Sequence, residues 1–230
     1  IIEGTDLVFL RELTGGIYFG KRGRLDNGET AYDTCTYNRD EVKRIAKKGF
    51  NLAMKRSKKL CCVDKANVLE SSRLWRETVQ SMEKDYPEVT VSYEFVDAVA
   101  MRLVQWPKSY DVLITENLFG DILTDEASVI SGSMGLMPSA SVGLETSLYE
   151  PIHGSYPQAA GKDIANPLAT ILSAAMMFED AFKLKEEAKL IRDVVNLSLE
   201  QLIVTEDLSE GKKSFSTSEV GTWLSNEILK

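Results

Sequence analysis

Two aspartates, Asp121 and Asp125, lie four residues apart within the stretch Glu116 to Gly143, ENLFGDILTDEASVISGSMGLMPSASVG. In a helix this spacing places both carboxylates on one face. If the helix is buried, the two like charges repel unless a cation or a basic group lies between them. Carboxylate oxygens suit Mg2+ or Mn2+ rather than zinc. The spacing indicates a divalent metal site, and a solvated helix face is the alternative. The apolar side chains that predict burial are Ile122, Leu123, Ala127, Val129 and Ile130.

The composition limits the class of protein. The chain has 230 residues, of which 43% are hydrophobic and 27% are charged, as in a soluble globular protein of one large or two small domains. The formal net charge of -8 argues against nucleic acid as a partner, because the basic residues are interleaved with acids. The apolar run from Leu168 to Phe178 is too short to span a bilayer, and the chain does not begin like a signal peptide. We therefore expect neither a nucleic-acid nor a membrane partner.

The cysteines predict a reducing environment. Three of them, Cys35, Cys61 and Cys62, cannot form a full disulfide framework and fit the cytosol, so we expect a cytoplasmic protein. Neighbouring residues of a strand point to opposite faces. Cys61 and Cys62 are accordingly interpreted as small apolar core residues.

The first forty residues predict a strand followed by an arm. Residue 1 is Ile, and the apolar run from Leu7 to Leu10 predicts a buried strand with no preceding element to pair with, so we expect a truncated or processed chain. Turn residues from Asp26 to Gly28 divide the segment that ends at Tyr37 into a two-stranded arm. An isolated hairpin is marginally stable, so this arm is expected to pair with another subunit.

From Asn38 the pattern alternates between helices and strands, which predicts a largely parallel sheet covered by helices. Catalytic and binding groups collect at the C-terminal ends of such strands, and Arg11, Lys65 and Asp97 lie there. The predicted elements are a helix from Asn38 to about Ser57, a strand Leu60 to Val63, a helix from Ser71 or Ser72 to Lys84, a strand Val89 to Phe95, a helix Ala98 to Gln105, a strand Asp111 to Thr115, and the helix with the paired aspartates.

The second half begins with glycines and prolines that break it into short extended pieces. A strand is predicted from Ser147 to Ile152, and the loop HGSYPQAAGKDIANP follows it. Three helices complete the chain, and they are predicted at Leu168 to Phe178, with Pro167 in the first turn, at Lys185 to Ile203 and at Ser218 to Leu229.

Taken together, several motifs resemble the isocitrate/isopropylmalate dehydrogenase family, whose members decarboxylate β-substituted malates. The motifs are RELTGGIYFG at Arg11 to Gly20, VDKANVL at Val63 to Leu69, FVDAVAM at Phe95 to Met101, NLFGDILTDEAS at Asn117 to Ser128, and EPIHGS followed by AGKDIANP. The first is carried by members that use isopropylmalate, whereas isocitrate-using relatives have an Arg-Glu-Asn type of segment there. The resemblance covers the whole chain, and it implies that the family's N-terminal part, with two substrate-binding arginines, is missing.

The resemblance implies an α/β fold of two domains with a projecting β-arm. Residues 1–131 would form the substrate, metal and dimerisation domain, and residues 132–230 the C-terminal part of the cofactor domain. The implied reaction is the NAD-dependent oxidative decarboxylation of 3-isopropylmalate to 4-methyl-2-oxopentanoate and CO2, in leucine biosynthesis. The active site would be shared across a homodimer, because Lys65, Asn67 and one metal aspartate come from the partner subunit in this family.

The same resemblance assigns roles to individual residues. Asp97, Asp121 and Asp125 would hold Mg2+ or Mn2+, and Arg11 would bind a substrate carboxylate. Lys65 would accept the hydroxyl proton through Asp97, and Tyr18 would return a proton to the enolate carbon. Arg11, Tyr18 and Asp97 would therefore contact the substrate. The residues implied for the cofactor are Asn67, Glu150, His153, Gly154, Ser155, Gln158 and Asn166.

The sequence departs from the family in the cofactor loop. Members that use NAD have an acidic residue followed by Ile after the HGS motif, and members that use NADP have a Lys-Tyr type of pair. Here the pair is Gln158-Ala159, which neither attracts nor repels a 2′-phosphate by charge. We expect NAD to be preferred, with weaker discrimination than a carboxylate would give.

Other readings remain open. The chain would also fit a related β-decarboxylating dehydrogenase for isocitrate, homoisocitrate or tartrate. A Mg2+-dependent phosphoryl-transfer or lyase enzyme would want clustered aspartates and a lysine, but no GxxxxGK[ST] loop is present. The third alternative is a non-catalytic dimerisation module. The chain alone is expected to be inactive. Without the motifs, Lys65 would be a surface lysine and His153 a loop residue.

Overall fold

A computed structural model describes residues 3–230, which form two compact units that divide between Ala127 and Ser128. The sequence predicted a domain boundary after Ser131. The functions assigned to the two domains remain predictions. Among the described residues, no helix has both the length and the apolar character needed to cross a membrane.

The first unit is built on a parallel sheet. Its order is β1-β6-β4-β5, and every neighbouring pair of strands is parallel, as the alternation of helices and strands predicts. The strands of this unit are β1 (Val8–Arg11), β2 (Arg22–Leu25), β3 (Thr30–Asp33), β4 (Lys59–Asp64), β5 (Thr90–Phe95) and β6 (Val112–Thr115). The helices are α1 (Arg39–Lys55), α2 (Glu70–Met82), α3 (Val96–Gln105) and α4 (Asn117–Ser128), the last residue of which belongs to the second unit.

Helices cover both faces of this sheet. Asn38 begins α1 with a capping box, in which its side chain accepts the N–H of Glu41 and the Glu41 side chain accepts the N–H of Asn38. Side chains of α1 and α2 pack with Cys62 on one face, whereas side chains of α3 and α4 pack with Cys61 on the other. The prediction that the adjacent cysteines enter the core on opposite faces is confirmed, and all three cysteines are free thiols.

Two expectations about burial are wrong. The strand predicted as buried, β1, is half-buried, because it lies at the edge of the sheet and pairs only with β6. In the aspartate-bearing segment, Leu123 and Ala127 are buried but Ile122 is 54% and Val129 76% exposed. Successive helical residues turn by about 100°, so only positions three or four apart face the sheet together.

The arm is a two-stranded antiparallel ribbon. Strands β2 and β3 pair from Arg22 with Asp33 to Leu25 with Thr30. The turn between them contains Asn27 and Gly28 at φ 55° and 101°, a left-handed conformation that suits both residue types. The predicted hairpin and its turn are therefore confirmed.

The second unit combines a hairpin with three helices. Strands β7 (Pro138–Val142) and β8 (Ser147–Pro151) are antiparallel, and the helices are α5 (Leu168–Asp180), α6 (Lys185–Glu200) and α7 (Thr217–Ile228). The core between the helices is formed by Leu168, Val194, Val195, Val220 and Leu224. The predicted strand and helices are confirmed, with ends that shift by a few residues. Pro167 directly precedes α5 instead of lying in its first turn.

Candidate active site

The candidate residues of the first unit follow parallel strands. Arg11 ends β1, Lys65 follows β4, Asp97 lies in the first turn of α3 after β5, and Asp121 lies in α4 after β6. The C-terminal ends of parallel strands meet at one edge of a sheet, where ligands of such folds bind. All these side chains therefore originate at the same edge.

Arg11, Tyr18 and Asp121 lie together. Arg11 Nη1 is 2.9 Å from Asp121 Oδ1 in an ion pair. The guanidinium carbon lies 5.6 Å from the centroid of the Tyr18 ring, which is a cation–π contact. These side chains are only partly exposed, at 25% for Arg11 and 46% for Asp121. The Arg11 guanidinium, which can bind a carboxylate, thus lies beside the Tyr18 phenol and beside Asp121, a candidate metal ligand.

The Tyr18 phenol is kept protonated in this cluster. Its pKa is raised, first by desolvation and then by the hydrogen bond to Asp121 and the negative charge of that carboxylate. The positive charge of Arg11 and its hydrogen bond lower the pKa of Tyr18, but they do not outweigh this rise. A phenol that holds its proton at neutral pH can donate it.

Lys65 and Asp97 form a second charged pair. Lys65 Nζ lies 2.5 Å from Asp97 Oδ1 and 5.5 Å from the centroid of the Phe95 ring. The hydrogen bond from Lys65 lowers the pKa of Asp97, which is therefore ionised at neutral pH. The backbone N–H of Lys65 donates to Ser72 Oγ at 3.0 Å, which fixes the turn that carries the lysine. Lys65 and Asp97 are therefore joined by a direct hydrogen bond.

The premise that the paired aspartates are buried is wrong. Asp121 is partly exposed and Asp125 is exposed, because that face of α4 does not cover the sheet. Within residues 3–230, no three side chains of His, Cys, Asp or Glu lie close enough together to hold a metal ion. Asp97 thus does not join the two helical carboxylates inside one chain. The oxygen donors on α4 fit part of a Mg2+ or Mn2+ site, and the remaining donors must come from elsewhere.

A buried frame that the sequence did not predict supports the Arg11 cluster. The Tyr37 hydroxyl accepts the Asn117 N–H at 2.9 Å and donates to Glu116 at 3.4 Å. A Cβ added to Gly15 or Gly16 would lie 2.7 or 2.6 Å from Tyr37 side-chain atoms, so this glycine pair lets the tyrosine approach. The Gly-Gly pair in RELTGGIYFG was the available signal in the sequence for this close contact.

A second buried frame lies under Lys65. Asp64 is fully buried and forms a bidentate pair with Arg76, with distances of 2.7 and 2.9 Å. Arg76 in turn lies over the rings of Tyr93 and Phe95, at 5.5 and 5.4 Å from their centroids. Asp64 also accepts the N–H of Ala66 at 2.9 Å. The residues on both sides of Lys65 are therefore held in place.

The residues implied for the cofactor form an exposed segment in the second unit, apart from Asn67, which is exposed after β4 of the first unit. Glu150 is an exposed residue of β8, and Gly154, Ser155 and Gln158 are exposed beyond it. His153 is half-buried, and its Nδ1 lies 3.0 Å from the carbonyl oxygen of Gly154. A Cβ added to Gly154 would meet nothing within 4 Å, so there is open space at the loop for a ligand.

Asn166 differs from these residues because its side chain is occupied. Its Oδ1 accepts the N–H of Leu168 at 2.9 Å, and its Nδ2 donates to Asp207 at the same distance. Asp207 is held by several donors, including Ser133 and Thr205, which together with Asn166 keep its pKa low despite burial. Asn166 therefore anchors the end of the loop.

Known proteins are similar to this chain over nearly its whole length. The family model described as isocitrate/isopropylmalate dehydrogenase matches residues 1–224. Curated proteins named 3-isopropylmalate dehydrogenase are similar, one from Bacteroides fragilis (strain YCH46) at 56% identity, covering 100% of this chain and 65% of the relative, and one from Clostridium acetobutylicum at 54%, covering 99% and 65%. The chain thus spans about 65% of the length of these relatives.

Solved structures show the same similarity. A crystal structure of isocitrate dehydrogenase from Methylococcus capsulatus superposes with a TM-score of 0.93 at 34% identity, covering 97% of this chain and 67% of that one. A β-decarboxylating dehydrogenase from Thermococcus kodakarensis superposes with a TM-score of 0.80 at 35% identity, covering 92% and 61%.

Proposed function

Since the chain belongs to the isocitrate/isopropylmalate dehydrogenase family, we propose that it acts in the oxidative decarboxylation of 3-isopropylmalate to 4-methyl-2-oxopentanoate and CO2. NAD is the proposed hydride acceptor and Mg2+ or Mn2+ the proposed metal. The choice of substrate is supported by the names of the similar curated proteins and by the segment RELTGGIYFG. The reaction would serve leucine biosynthesis in the cytoplasm.

The observation that carries the proposal is the contact between Arg11, Tyr18 and Asp121. The Arg11 guanidinium binds a carboxylate of the substrate through two parallel hydrogen bonds. Asp121 lies next to this position, so a carboxylate held by Arg11 is brought to the α4 face on which Asp125 also lies. The two aspartates on that face would hold the cation, with Asp97 as a further donor.

Three residues move protons in the proposed reaction. When bound, NAD would supply the hydride acceptor, and a divalent cation held by the aspartates of α4 would supply the electron withdrawal that lets the carboxylate β to the new carbonyl leave as CO2. Lys65 is proposed to accept the proton of the substrate hydroxyl, with Asp97, its partner at 2.5 Å, as the relay. Tyr18 donates its phenolic proton to the enolate carbon.

A homodimer with shared sites is part of the proposal. One described chain does not bring Asp97 to the aspartates of α4. A second copy could supply Lys65, Asn67 and Asp97 to the site built on Arg11 and Asp121. Exposed apolar side chains on α3 and α4 favour such a partner, among them Met101, Val104 and Ile122. The isolated chain is proposed to be inactive.

The cofactor is proposed to bind along Glu150, His153, Gly154, Ser155, Gln158 and Asn166, with Asn67 contributed by the partner. These positions match the motif EPIHGS and the loop that follows it. Since the Asn166 side chain is occupied by Leu168 and Asp207, its backbone is the part available to a ligand.

The test is NADH formation by the full-length protein in which this sequence occurs. We expect activity with 3-isopropylmalate that requires Mn2+ or Mg2+ and disappears on chelation. The kcat/KM for isopropylmalate should be about 10–200-fold above that for isocitrate or tartrate, since a mismatched side chain in a binding pocket costs about 1–3 kcal/mol. A preference for isocitrate would make the substrate assignment wrong. Activity that persists after chelation would contradict the proposed requirement for a divalent metal.

A further inference from the structure

We propose that Asn117 is a positioning residue that holds one edge of the Arg11 guanidinium and so determines which edge meets the substrate carboxylate. This inference deepens the proposed function, because it rests on the role of Arg11 in substrate binding. Asn117 begins α4, four residues before Asp121, so a single helical turn carries both partners of the arginine.

The contacts of Arg11 divide its guanidinium into two edges. Asn117 Oδ1 accepts hydrogen bonds from Arg11 Nε at 3.1 Å and from Nη2 at 2.8 Å. These nitrogens form one donor edge of the planar group, and Nη1 with Nη2 forms the other edge that can bind a carboxylate bidentately. Asp121 contacts the second edge at Nη1. A substrate carboxylate is therefore received at the edge next to Asp121.

The orientation of the Asn117 amide is fixed by its other contacts. Its Nδ2 donates to the Gly15 carbonyl at 3.2 Å, and its backbone N–H donates to the Tyr37 hydroxyl at 2.9 Å. The residue is only 2% exposed. Since Nδ2 is committed as a donor, Oδ1 is the atom that faces Arg11.

A neutral acceptor suits this task. An amide oxygen orients the guanidinium without cancelling its charge, so the attraction for a substrate carboxylate is kept. A carboxylate at this position, in addition to that of Asp121, would place a second negative charge beside Arg11 and weaken its attraction for the substrate.

The first experiment measures hydrogen exchange of the Arg11 Nε–H by NMR on the 230-residue chain, with the signal assigned through its loss in Arg11→Lys. We expect Asn117→Ala to speed this exchange about tenfold or more, because a hydrogen bond to a charged group is lost. Asn117→Asp is the matched variant, which keeps the acceptor but loses the donor to Gly15, and exchange should stay slow. Unchanged exchange in Asn117→Ala overturns the proposal. Equal acceleration in both variants also overturns it, since the Gly15 contact would then be responsible.

The second experiment measures kinetics in the full-length protein. Asn117→Ala should raise the KM for isopropylmalate about tenfold, whereas kcat and the KM for NAD should change less than about threefold, because a lost positioning contact weakens substrate binding. An unchanged KM would overturn the role in substrate binding. If the unsubstituted protein does not use isopropylmalate, the proposed function fails, and the exchange experiment still decides whether Asn117 holds Arg11.

Discussion

The strand-end site of the first unit and the loop after β8 in the second unit are organised differently. Arg11 and Lys65 each contact a carboxylate from another element, and buried residues such as Asn117 and Asp64 lie behind them. In the loop, residues 154–158 are exposed, and the hydrogen bonds of the turn at 156–160 are local. The charged side chains at the strand ends are thus held in position by the first unit itself.

The loop is fixed mainly towards its end. Asp163 accepts the N–H of Ser218 at 3.0 Å at the start of α7, and Asn166 bonds Asp207 and Leu168. Ordering the exposed part on binding costs conformational entropy. Substitutions at the strand ends should therefore abolish chemistry, whereas substitutions in the exposed loop should shift cofactor preference.

The largest effect is expected for Lys65→Met. Removing the proposed base should lower kcat by about 10²–10⁴-fold, the usual contribution of general acid–base catalysis. Binding of metal and isopropylmalate should change little. Steady-state kinetics of the full-length protein measure this, with Lys59→Met, an exposed lysine at the start of β4, as the matched control. A kcat within a few-fold of the unsubstituted protein would remove Lys65 from the mechanism.

Asp121→Asn should have the next largest effect. The amide keeps the shape of the carboxylate but loses the charge that a cation and Arg11 require, so the apparent affinity for Mn2+ should fall by about tenfold or more. Titration of activity with Mn2+ measures this, and Glu126→Gln on the same helix is the control. Unchanged metal dependence would contradict the proposed ligand.

Mixing these two variants tests whether the sites are shared. In a dimer of one Lys65→Met chain and one Asp121→Asn chain, one site regains both functional residues, so random mixing should restore about one quarter of the activity. Different affinity tags on the two chains show that mixed dimers form. No recovery in such purified mixed dimers would argue against a shared site.

A smaller effect is expected from Gln158→Asp in the exposed loop. A carboxylate repels the 2′-phosphate of NADP, but exposure screens the repulsion, so the ratio of kcat/KM for NAD over NADP should rise only about fivefold, or about 1 kcal/mol. Gln158→Asn is the neutral control. A wild-type preference for NADP, or no rise in the ratio, would show that Gln158 does not face the ribose.

The smallest expected effect is on the pH dependence of stability, which should differ between a buried and an exposed carboxyl group. Burial raises the pKa of Glu116, so its contribution to stability is greatest below its ordinary value of 4.5 and is lost as the pH rises through the folded pKa. Glu116→Gln cannot ionise, so its Tm should improve relative to the unsubstituted protein between pH 4.5 and pH 7.

The contribution of Asp163 to stability is expected to change with pH in the opposite direction. Hydrogen bonds from Ser218 lower the pKa of Asp163, so its contribution is present above the ordinary value of 3.8 and is lost as the pH falls. Asp163→Asn should therefore have a lower Tm than the unsubstituted protein at pH 7, and the difference should shrink in acid. Thermal unfolding at several pH values measures both variants. If both substitutions changed the Tm at pH 7 in the same direction, the expected difference between the two carboxyl groups would be wrong.

The sequence predicted the order of elements better than the contacts between them. Hydrophobic spacing, the Asn38 cap and the turn at Asn27-Gly28 are local signals, and they placed the helices and the hairpin to within a few residues. The contact of Arg11 with Asn117 joins residues 106 positions apart and depends on β1 pairing with β6. The alternation of elements does not determine that strand order, so neither this contact nor the edge position of β1 was predicted.

The exposure of Ile122 and the partial exposure of Asp121 could not be predicted for a related reason. Apolar residues surround α4 on more than one side, and their spacing alone does not tell which side faces the sheet. The rotation of the helix is set by Leu123 packing against the sheet.

The adjacent thiols Cys61 and Cys62 provide built-in reporters of how the sheet opens. Each is buried in a different core on its own side of β4, and burial raises the pKa of Cys61 to about 12 and that of Cys62 well above its ordinary value. A thiol-specific reagent can therefore modify them only during transient opening events. Equal labelling rates would mean that both layers of helices detach in one cooperative event, whereas unequal rates would show which layer separates first.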